Sequence, residues 1–251
     1  MLVRVSARVL LAMMLALTSA LFVDLRQAMQ PESPSHAYIR PEFERQMQDL
    51  RPVILDAAKR HNRPELSGMD DREFAAVIAQ ILYNEHFGWL EDAIPPLQIV
   101  TPAYQMAQID MNQATGSDLT VWPSNLRPSV AVEMLRHELP LPGTSDVLVV
   151  PIVVQGTRIN PHAFSDQHTL YAAVNAEISQ PALAVEYLAA NLERGVYRAR
   201  YEGVAISWQT LAAWHNQGIV QPADIQASPS ARHYLHRAAG YREAAEALVA
   251  P

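Results

Sequence analysis

The clearest pattern of hydrophobic and polar positions in the chain is an apolar stripe between Asp71 and Gly88. Its apolar residues recur at intervals of three and four, which is the spacing of one face of an α-helix. They are Phe74, Val77, Ile78, Ile81 and Leu82. Asp70 and Asp71 stand where a helix cap belongs, and Gly88 stands where a helix is expected to stop. The pattern therefore predicts a helix that buries this stripe in the core.

Further periodic segments predict a mainly helical chain. Helices are predicted at residues 41–60, 102–111, 128–137, 165–178, 181–194, 206–217 and 229–249. Pro52 is expected to break or kink the first of these, and Gly195 is expected to end the helix that starts near residue 181. Residues 147–154 are continuous and β-branched, which favours a strand, and a short return strand is predicted at 157–159. The predicted fold class is mainly α (α+β), with a small β insertion at about 138–165.

The N-terminal segment has the layout of an export signal. Arg4 and Arg8 precede an apolar run at residues 9–23, with small residues at 18–20. The run is short for a membrane span, which needs about 20 residues. A cleaved signal peptide and an uncleaved membrane anchor are both consistent with this pattern. Residues 24–40 are predicted to be a linker, so we expect an exported protein that is periplasmic, extracellular or anchored on the outer side of a membrane.

Composition and charge narrow the chemistry. The chain has no cysteine, which excludes disulfide bonds and cysteine nucleophiles. Its formal charge of −7 lacks the basic footprint that phosphate binding requires, so nucleic acid is not expected as a partner. The His-Glu-x-x-His spacing of zinc peptidases is absent, as are a nucleophile-elbow serine motif and a phosphate-binding glycine loop. We therefore expect neither a metal nor a cofactor.

A carboxylate lies at the C-terminal end of the apolar stripe. Continuing the stripe by four residues from Ile81 leads to Glu85, so the pattern predicts a glutamate on the buried face. The aromatic residues Phe87 and Trp89 follow closely in sequence. A carboxyl group that is shielded from water keeps its proton to higher pH, as a general acid must. The alternative is that Glu85 is simply exposed where the helix frays.

Three separated segments of the chain are similar to the motifs of one enzyme family. They are the helix ending at Glu85, the loop DLTVWPSNLRP at 118–128 and the segment LAAWHNQG at 211–218. Over roughly residues 70–220, outside the insertion, the chain resembles the lysozyme-like lytic transglycosylases of the goose-type branch. That family has a catalytic Glu at a helix end, then a loop D-x-S-x-G-x-x-Q-[IL]-x-P and a later A-A-Y-N-x-G. The main departures of this chain from the pattern are His86 for Ser, Trp122 for Gly, Asn125 for Gln and His215 for Tyr.

The resemblance implies a lysozyme-like domain at residues 41–225 and a C-terminal helix at 226–251. It also implies cleavage of peptidoglycan glycan strands by Glu85, which acts first as general acid and then as base. A transglycosylase of this type uses a single acid and lets the N-acetyl group of the substrate assist. The N-terminal segment, if uncleaved, would tether the enzyme to a membrane.

Four other residues are implied to bind the substrate. Asn125, His215 and Asn216 would position the sugar, and Trp122 would line the site and offer a stacking surface. Glycoside cleavage usually needs two carboxylates, which in other families lie about 5 to 10 Å apart. The candidates for a second one, each expected to be a solvated loop acid, are Glu91, Asp92, Asp110 and Asp118.

Two other functions are also consistent with the sequence. The substituted motif positions favour a non-catalytic member of the same fold, acting as a glycan- or protein-binding module of the cell envelope. The third reading is a helical interaction protein whose motif matches are coincidental. A buried Glu85 that shares one groove with Asn125 and the 214–216 segment would favour the first two readings over the third.

Overall fold

The computed structural model describes residues 38–251, and most of them are helical. The α-helices are α1 (Pro41–His61), α2 (Pro64–Ser67), α3 (Asp71–Glu85), α4 (Gly88–Ala93), α5 (Leu97–Thr115), α6 (Pro128–Leu135), α7 (Gln167–Ile178), α8 (Pro181–Tyr201), α9 (Trp208–Gln217), α10 (Pro222–Ala227), α11 (Pro229–Ala239) and α12 (Arg242–Val249). Two short strands, β1 (Glu138–Pro140) and β2 (Val147–Val149), lie between α6 and α7. The predicted fold class, mainly helical with a small β insertion, is confirmed.

Part of the sequence prediction falls outside the described residues. The predicted export segment at 1–23 and most of the linker at 24–40 belong to this part of the chain. Among residues 38–251, no helix combines the length and the apolar character needed to cross a membrane.

α3 is the helix predicted from the apolar stripe, and its start is set by local chemistry. The Asp70 carboxylate accepts hydrogen bonds from the backbone N–H groups of Arg72 and Glu73. In return, the Glu73 side chain accepts from the backbone N–H of Asp70. This reciprocal pair is a capping box, which satisfies donors that the first helical turn leaves free. All five residues of the stripe are buried, as predicted, and the helix ends at Glu85.

The main hydrophobic core surrounds α3. It includes Met47 and Ile54 of α1, Leu188 of α8 and Leu248 of α12. α1 continues as one helix through Pro52, without the predicted break. Apolar residues on both sides of Pro52 pack into the same core, and this packing outweighs the one backbone hydrogen bond that proline cannot make.

α8 is the interior helix of the domain. Every residue from 184 to 196 is buried. Leu188 faces the main core, whereas Tyr187 and Ala190 face a second core formed with α6, α7 and the strands. A helix that is buried on all sides belongs to the centre of a fold. α8 therefore lies between the two cores and contributes residues to both.

Gly195 lies inside α8 and does not end it, contrary to the prediction. A Cβ atom at this position would lie 2.6 Å from Cδ1 of Trp214 in α9. The glycine is therefore required for the close approach of α8 and α9. The same contact lets the indole N–H of Trp214 donate to the carbonyl oxygen of Asn191 at 3.2 Å.

The β insertion pairs differently from the prediction. β2 pairs with the upstream β1 as an antiparallel hairpin, in which Leu139 lies opposite Leu148. The predicted return strand at 157–159 does not form. The Glu177 carboxylate of α7 instead accepts a hydrogen bond from the backbone N–H of Arg158. A side-chain acceptor on a neighbouring helix thus replaces the expected strand ladder.

Several helix bounds also differ from the prediction. The predicted C-terminal helix is two helices, α11 and α12, and both pack on α3. α5 is longer than the predicted segment at 102–111 and continues through Pro102, while α10 was not predicted. The C-terminal residues therefore belong to the same core as α3.

Candidate active site

Glu85 ends α3 at a pocket, and side chains from two other elements hold both of its carboxyl oxygens. Tyr234 Oη donates to Glu85 Oε1 at 2.6 Å, and Asn125 Nδ2 donates to Glu85 Oε2 at 2.6 Å. The residue is only 7% exposed. Short hydrogen bonds to both oxygens fix the direction of a carboxyl group. The alternative of a glutamate exposed at a frayed helix end is therefore wrong.

The chain turns sharply after Glu85. Phe87 has a left-handed backbone conformation with φ 64°, and α4 begins at Gly88. A Cβ atom at Gly88 would lie 2.0 Å from the carbonyl oxygen of Tyr38. Only glycine allows this approach of the two backbones. The turn ends α3 at the carboxyl group instead of continuing the helix past it.

The loop at 118–127 brings Asn125 to this carboxyl group. An antiparallel bridge between Val121 and Leu126 closes the loop, and Asn125 lies in the turn with φ 50°. Asn tolerates this left-handed conformation better than most residues do. Asp118 anchors the start of the loop, because its carboxylate accepts from the backbone N–H and the hydroxyl of Ser129 in α6.

Two positions that depart from the family pattern, His86 and Trp122, pack around Phe43. The His86 ring stacks on Phe43 with centroids 4.6 Å apart, and the Trp122 ring lies 6.2 Å from Phe43. Burial lowers the pKa of His86 to about 4, so its ring is neutral near pH 7. Trp122 is not among the side chains that line the pocket at Glu85. The prediction assigned Trp122 to the site lining, whereas the structure has it in a packing position.

α9 supplies His215 and Asn216, and it ends at Gly218 as predicted. His215 Nε2 lies 3.9 Å from Glu85 Oε1, which is too long for a hydrogen bond. On its other side, His215 Nδ1 lies 3.3 Å from Asn191 Nδ2. Burial lowers the pKa of His215, although the Glu85 charge acts in the opposite direction. His215 is therefore a neutral ring near pH 7, and its Nδ1 can accept from the Asn191 amide.

These side chains converge on a pocket of about 470 Å³. Four of the five predicted site residues line it: Glu85, Asn125, His215 and Asn216. Polar lining residues that the sequence did not single out are Thr120, Arg127, Glu133, Asn191, Arg194 and Arg237. The volume falls in the range of small-ligand sites, which is about 300 to 1,000 Å³.

Tyr234 and Arg237 of α11 are site residues that the sequence reasoning missed. Burial raises the pKa of Tyr234 well above its usual value, so the hydroxyl stays a hydrogen-bond donor to Glu85. Arg237 lies over the Trp89 ring at 4.1 Å from the centroid. Tyr234, Arg237 and the buried Ala238 have the spacing of one helix face. A hydroxyl and a guanidinium group on the same face as a buried apolar residue are the sequence signal that could have identified these two site residues.

The second carboxylate of the pocket is not one of those considered from the sequence. None of the four lines the pocket: Glu91, Asp92, Asp110 and Asp118. Glu91 is buried and paired with Arg40 at 3.4 Å, which corrects the expectation of a solvated position. Glu133 shares the pocket with Glu85 and accepts from Arg194 Nη2 at 2.6 Å. Within the described residues, no group of three or more His, Asp or Glu side chains is arranged to hold a metal ion.

Comparison with protein-family models, with curated proteins and with solved structures finds no match for this chain. The resemblance to lysozyme-like transglycosylases therefore stays a prediction from its three motifs. What the pocket does has to be inferred from its own geometry.

Proposed function

We propose that this protein cleaves the glycan strands of peptidoglycan, with Glu85 as the acid and base. The observation that carries the proposal is the burial of the Glu85 carboxyl group at a helix end, in a pocket shared with Asn125, His215 and Asn216. A reacting bond needs such a group together with polar side chains that orient the sugar around it. The three motifs of the family resemblance supply the substrate class.

In the proposed reaction, the Glu85 carboxyl group gives its proton to the glycosidic oxygen as the bond from that oxygen to the sugar C1 breaks. The resulting carboxylate then takes a proton from the hydroxyl that attacks C1. That hydroxyl belongs either to water, which gives hydrolysis, or to the 6-position of the same sugar, which gives an anhydro product. In both cases Glu85 returns to its acid form.

Asn125 suits both protonation states of Glu85. Its Nδ2 donates to the carboxyl group, while its buried Oδ1 has no partner among the described residues. Rotating the amide by half a turn exchanges donor and acceptor. Oδ1 would then accept the proton of the neutral acid. The pair therefore supports a carboxyl group that gains and loses a proton without losing its orientation.

A second candidate function is glycan or protein binding without catalysis in the cell envelope. It is favoured by the same hydrogen bonds, because a carboxylate whose two oxygens are held by Tyr234 and Asn125 is also a well-satisfied structural group. The departures His86, Asn125 and His215 from the family pattern point the same way. Enzyme and binder share the pocket and differ in whether the Glu85 proton moves.

The test compares the wild-type protein with Glu85→Gln on peptidoglycan sacculi. Gln can accept from Tyr234 and donate to a rotated Asn125, so the fold and the binding of glycan should survive. Release of soluble fragments should fall by about 10²-fold or more, because the amide cannot deliver a proton. Glu243→Gln is the matched control, since Glu243 is exposed at the start of α12.

The outcomes separate the two functions. Release of fragments by wild type and Glu243→Gln, with loss in Glu85→Gln, supports the enzyme. If none of the three proteins releases fragments and all three sediment equally with sacculi, the protein is a binding module and not an enzyme. Equal release by all three would remove Glu85 from the mechanism.

We propose export as part of the same function, because the glycan lies outside the cytoplasm. The N-terminal pattern of Arg4, Arg8 and the apolar run at 9–23 supports it. A mature N-terminus near Leu21, or recovery of the protein with membranes, is the expected result. Full-length protein free in the cytoplasm would contradict it.

A further inference from the structure

The pocket at Glu85 carries more positive than negative charge, although the whole chain has a formal charge of −7. Three arginines line it: Arg127, Arg194 and Arg237. Two carboxylates line it, those of Glu85 and Glu133, and burial keeps His215 neutral. Because arginine stays protonated in proteins, the lining has an excess of one positive charge even when Glu85 is ionised.

Two of the arginines are matched within the pocket. Arg194 is only 2% exposed, and its Nη2 donates to Glu133 Oε2 at 2.6 Å. Arg237 is largely buried over the Trp89 ring, and burial lowers its pKa while the charge of Glu85 acts in the opposite direction. These two guanidinium groups therefore balance the two carboxylates.

Arg127 is the cation that remains. Its side chain is exposed at the pocket, directly before α6, and within the described residues it forms no hydrogen bond or ion pair. The start of α6 does not depend on it, because Asp118 already accepts from the N–H and hydroxyl of Ser129. The Arg127 guanidinium is therefore available to a ligand.

The charge of the lining decides the kind of ligand that Arg127 can bind. The lining keeps an excess of positive charge, and the Arg127 guanidinium is the exposed part of that excess. The complementary ligand group is therefore an anion. A carboxylate fits the planar fork of arginine with two parallel hydrogen bonds, which adds direction to the charge attraction.

We infer that Arg127 forms a carboxylate-binding subsite beside Glu85, so that the pocket selects glycans that carry a carboxylate near the bond to be cleaved. This inference rests on the proposed function for its glycan backbone. In peptidoglycan, such a carboxylate comes either from the lactyl ether of a sugar whose peptide has been removed or from the attached peptide. Both sources present the same group to Arg127, and the choice of ligands can separate them.

The experiment measures binding by the full chain carrying Glu85→Gln, so that no ligand is cleaved. Three ligands are titrated: a neutral N-acetylglucosamine oligomer, peptidoglycan strands stripped of peptide, and soluble strands that keep their peptides. Each is measured with and without Arg127→Gln. Arg136→Gln is the matched control, because Arg136 is exposed at the other end of α6 and does not line the pocket.

Arg127→Gln should weaken binding of the carboxylate-bearing strands by about 10- to 100-fold, the loss expected for a charge-assisted pair. Binding of the neutral oligomer should stay unchanged, and Arg136→Gln should bind all ligands like its parent. A loss with stripped strands identifies the sugar-borne carboxylate. A loss only with peptide-bearing strands identifies the peptide.

Equal affinity of Arg127→Gln and its parent for all ligands would overturn the inference, as would an equal loss for neutral and acidic ligands. An equal loss with Arg136→Gln would also overturn it, because the effect would then be one of general surface charge. Cleavage by the wild-type protein is scored separately. An inactive wild type whose Glu85→Gln form still binds acidic glycans through Arg127 would refute the enzyme and keep the subsite.

Discussion

Two helices that support the site, α3 and α5, bury different kinds of surface. α3 buries its apolar stripe, as its sequence pattern predicts, and exposes polar side chains only in its first turn, since Gln80, Asn84 and Glu85 are also buried. α5 buries polar side chains and exposes apolar ones. Its buried positions, spaced by three and four, are Thr101, Gln105, Gln108 and Asn112, while Ile99 is 84% exposed and Met106 is 54% exposed.

The two helices are therefore held by different physics. α3 is fixed by non-directional packing, which follows from the area of apolar surface removed from water. α5 is fixed by directed hydrogen bonds, and Asn112 is their centre. Its Nδ2 donates to the carbonyl oxygen of Leu119 at 2.8 Å, and its Oδ1 accepts from the N–H of Leu119 at 3.0 Å and from Ser117 Oγ at 3.0 Å. The loop that leads to Asn125 is thus attached to α5 by polar contacts.

The largest difference is expected from the same substitution made in both helices. Ile78→Ala in α3 should lower the free energy of unfolding by about 2 to 5 kcal/mol, because Ile78 is fully buried and a cavity remains. Ile99→Ala in α5 should change it by no more than about 0.5 kcal/mol. Urea denaturation of both variants measures the contrast. Equal losses would show that the outward face of α5 is covered.

A smaller loss is expected when the polar contact of α5 is removed. Asn112→Ala leaves the N–H and carbonyl groups of Leu119 without their partner, which should cost about 1 to 3 kcal/mol. Gln98→Ala is the control, since Gln98 is exposed on the same helix. If Asn112→Ala unfolds at the same urea concentration as wild type, directed bonds do not hold α5.

A third type of helix contact should respond to pH. His61 of α1 lies between two carboxylates of α8, with Nε2 3.0 Å from Glu186 and Nδ1 2.8 Å from Glu193. Burial opposes the charged ring, but these bonds outweigh it and raise the pKa of His61. Burial also acts to raise the pKa of Glu186, yet the bonds from His61 and Arg60 hold it at about 2.

The direction in which stability changes with pH follows from the raised pKa of His61 and the lowered pKa of Glu186. Stability from His61 is present below its unfolded pKa of about 6.5 and is lost as the pH rises through the folded value. Stability from Glu186 is present above about 4.5 and is lost as the pH falls towards about 2. We expect a maximum between these limits, with a slope above pH 6.5 of at most about 1.4 kcal/mol per pH unit from this one proton. Unfolding curves from pH 5 to 9 should lose that slope in His61→Asn, and an unchanged slope would assign it to other groups.

The smallest effect is expected on the outward face of α5. Met106→Gln keeps the length of the side chain and should change the free energy of unfolding by less than about 0.5 kcal/mol, because Met106 is already 54% exposed. Thermal denaturation at several protein concentrations would measure it. A clear loss of stability that depends on concentration would mean that a second molecule covers this face.

The sequence alone was sufficient for what depends on neighbours along the chain. The hydrophobic periodicity and the cap at Asp70 predicted α3. The same periodicity, extended by four residues from Ile81, predicted that Glu85 is buried. Pro128 and Gly218 marked helix ends correctly, because their preferences are local backbone properties. Three motifs in order also predicted that Asn125 and the end of α9 would meet Glu85.

Only the tertiary structure decided which distant groups complete the site and which faces are buried. Tyr234 lies 149 positions after Glu85, and no local rule links the two. The polar buried face of α5 could not be predicted from hydropathy, since hydrogen-bond partners outside the helix determine whether an amide side chain can be buried. Trp122 was expected in the pocket, but Phe43 offers it a packing surface elsewhere. The periodicity of hydrophobic residues predicts the buried side of a helix only when that side is apolar. The hydrogen-bond partners of a buried polar side are set by residues that the assembled fold brings together.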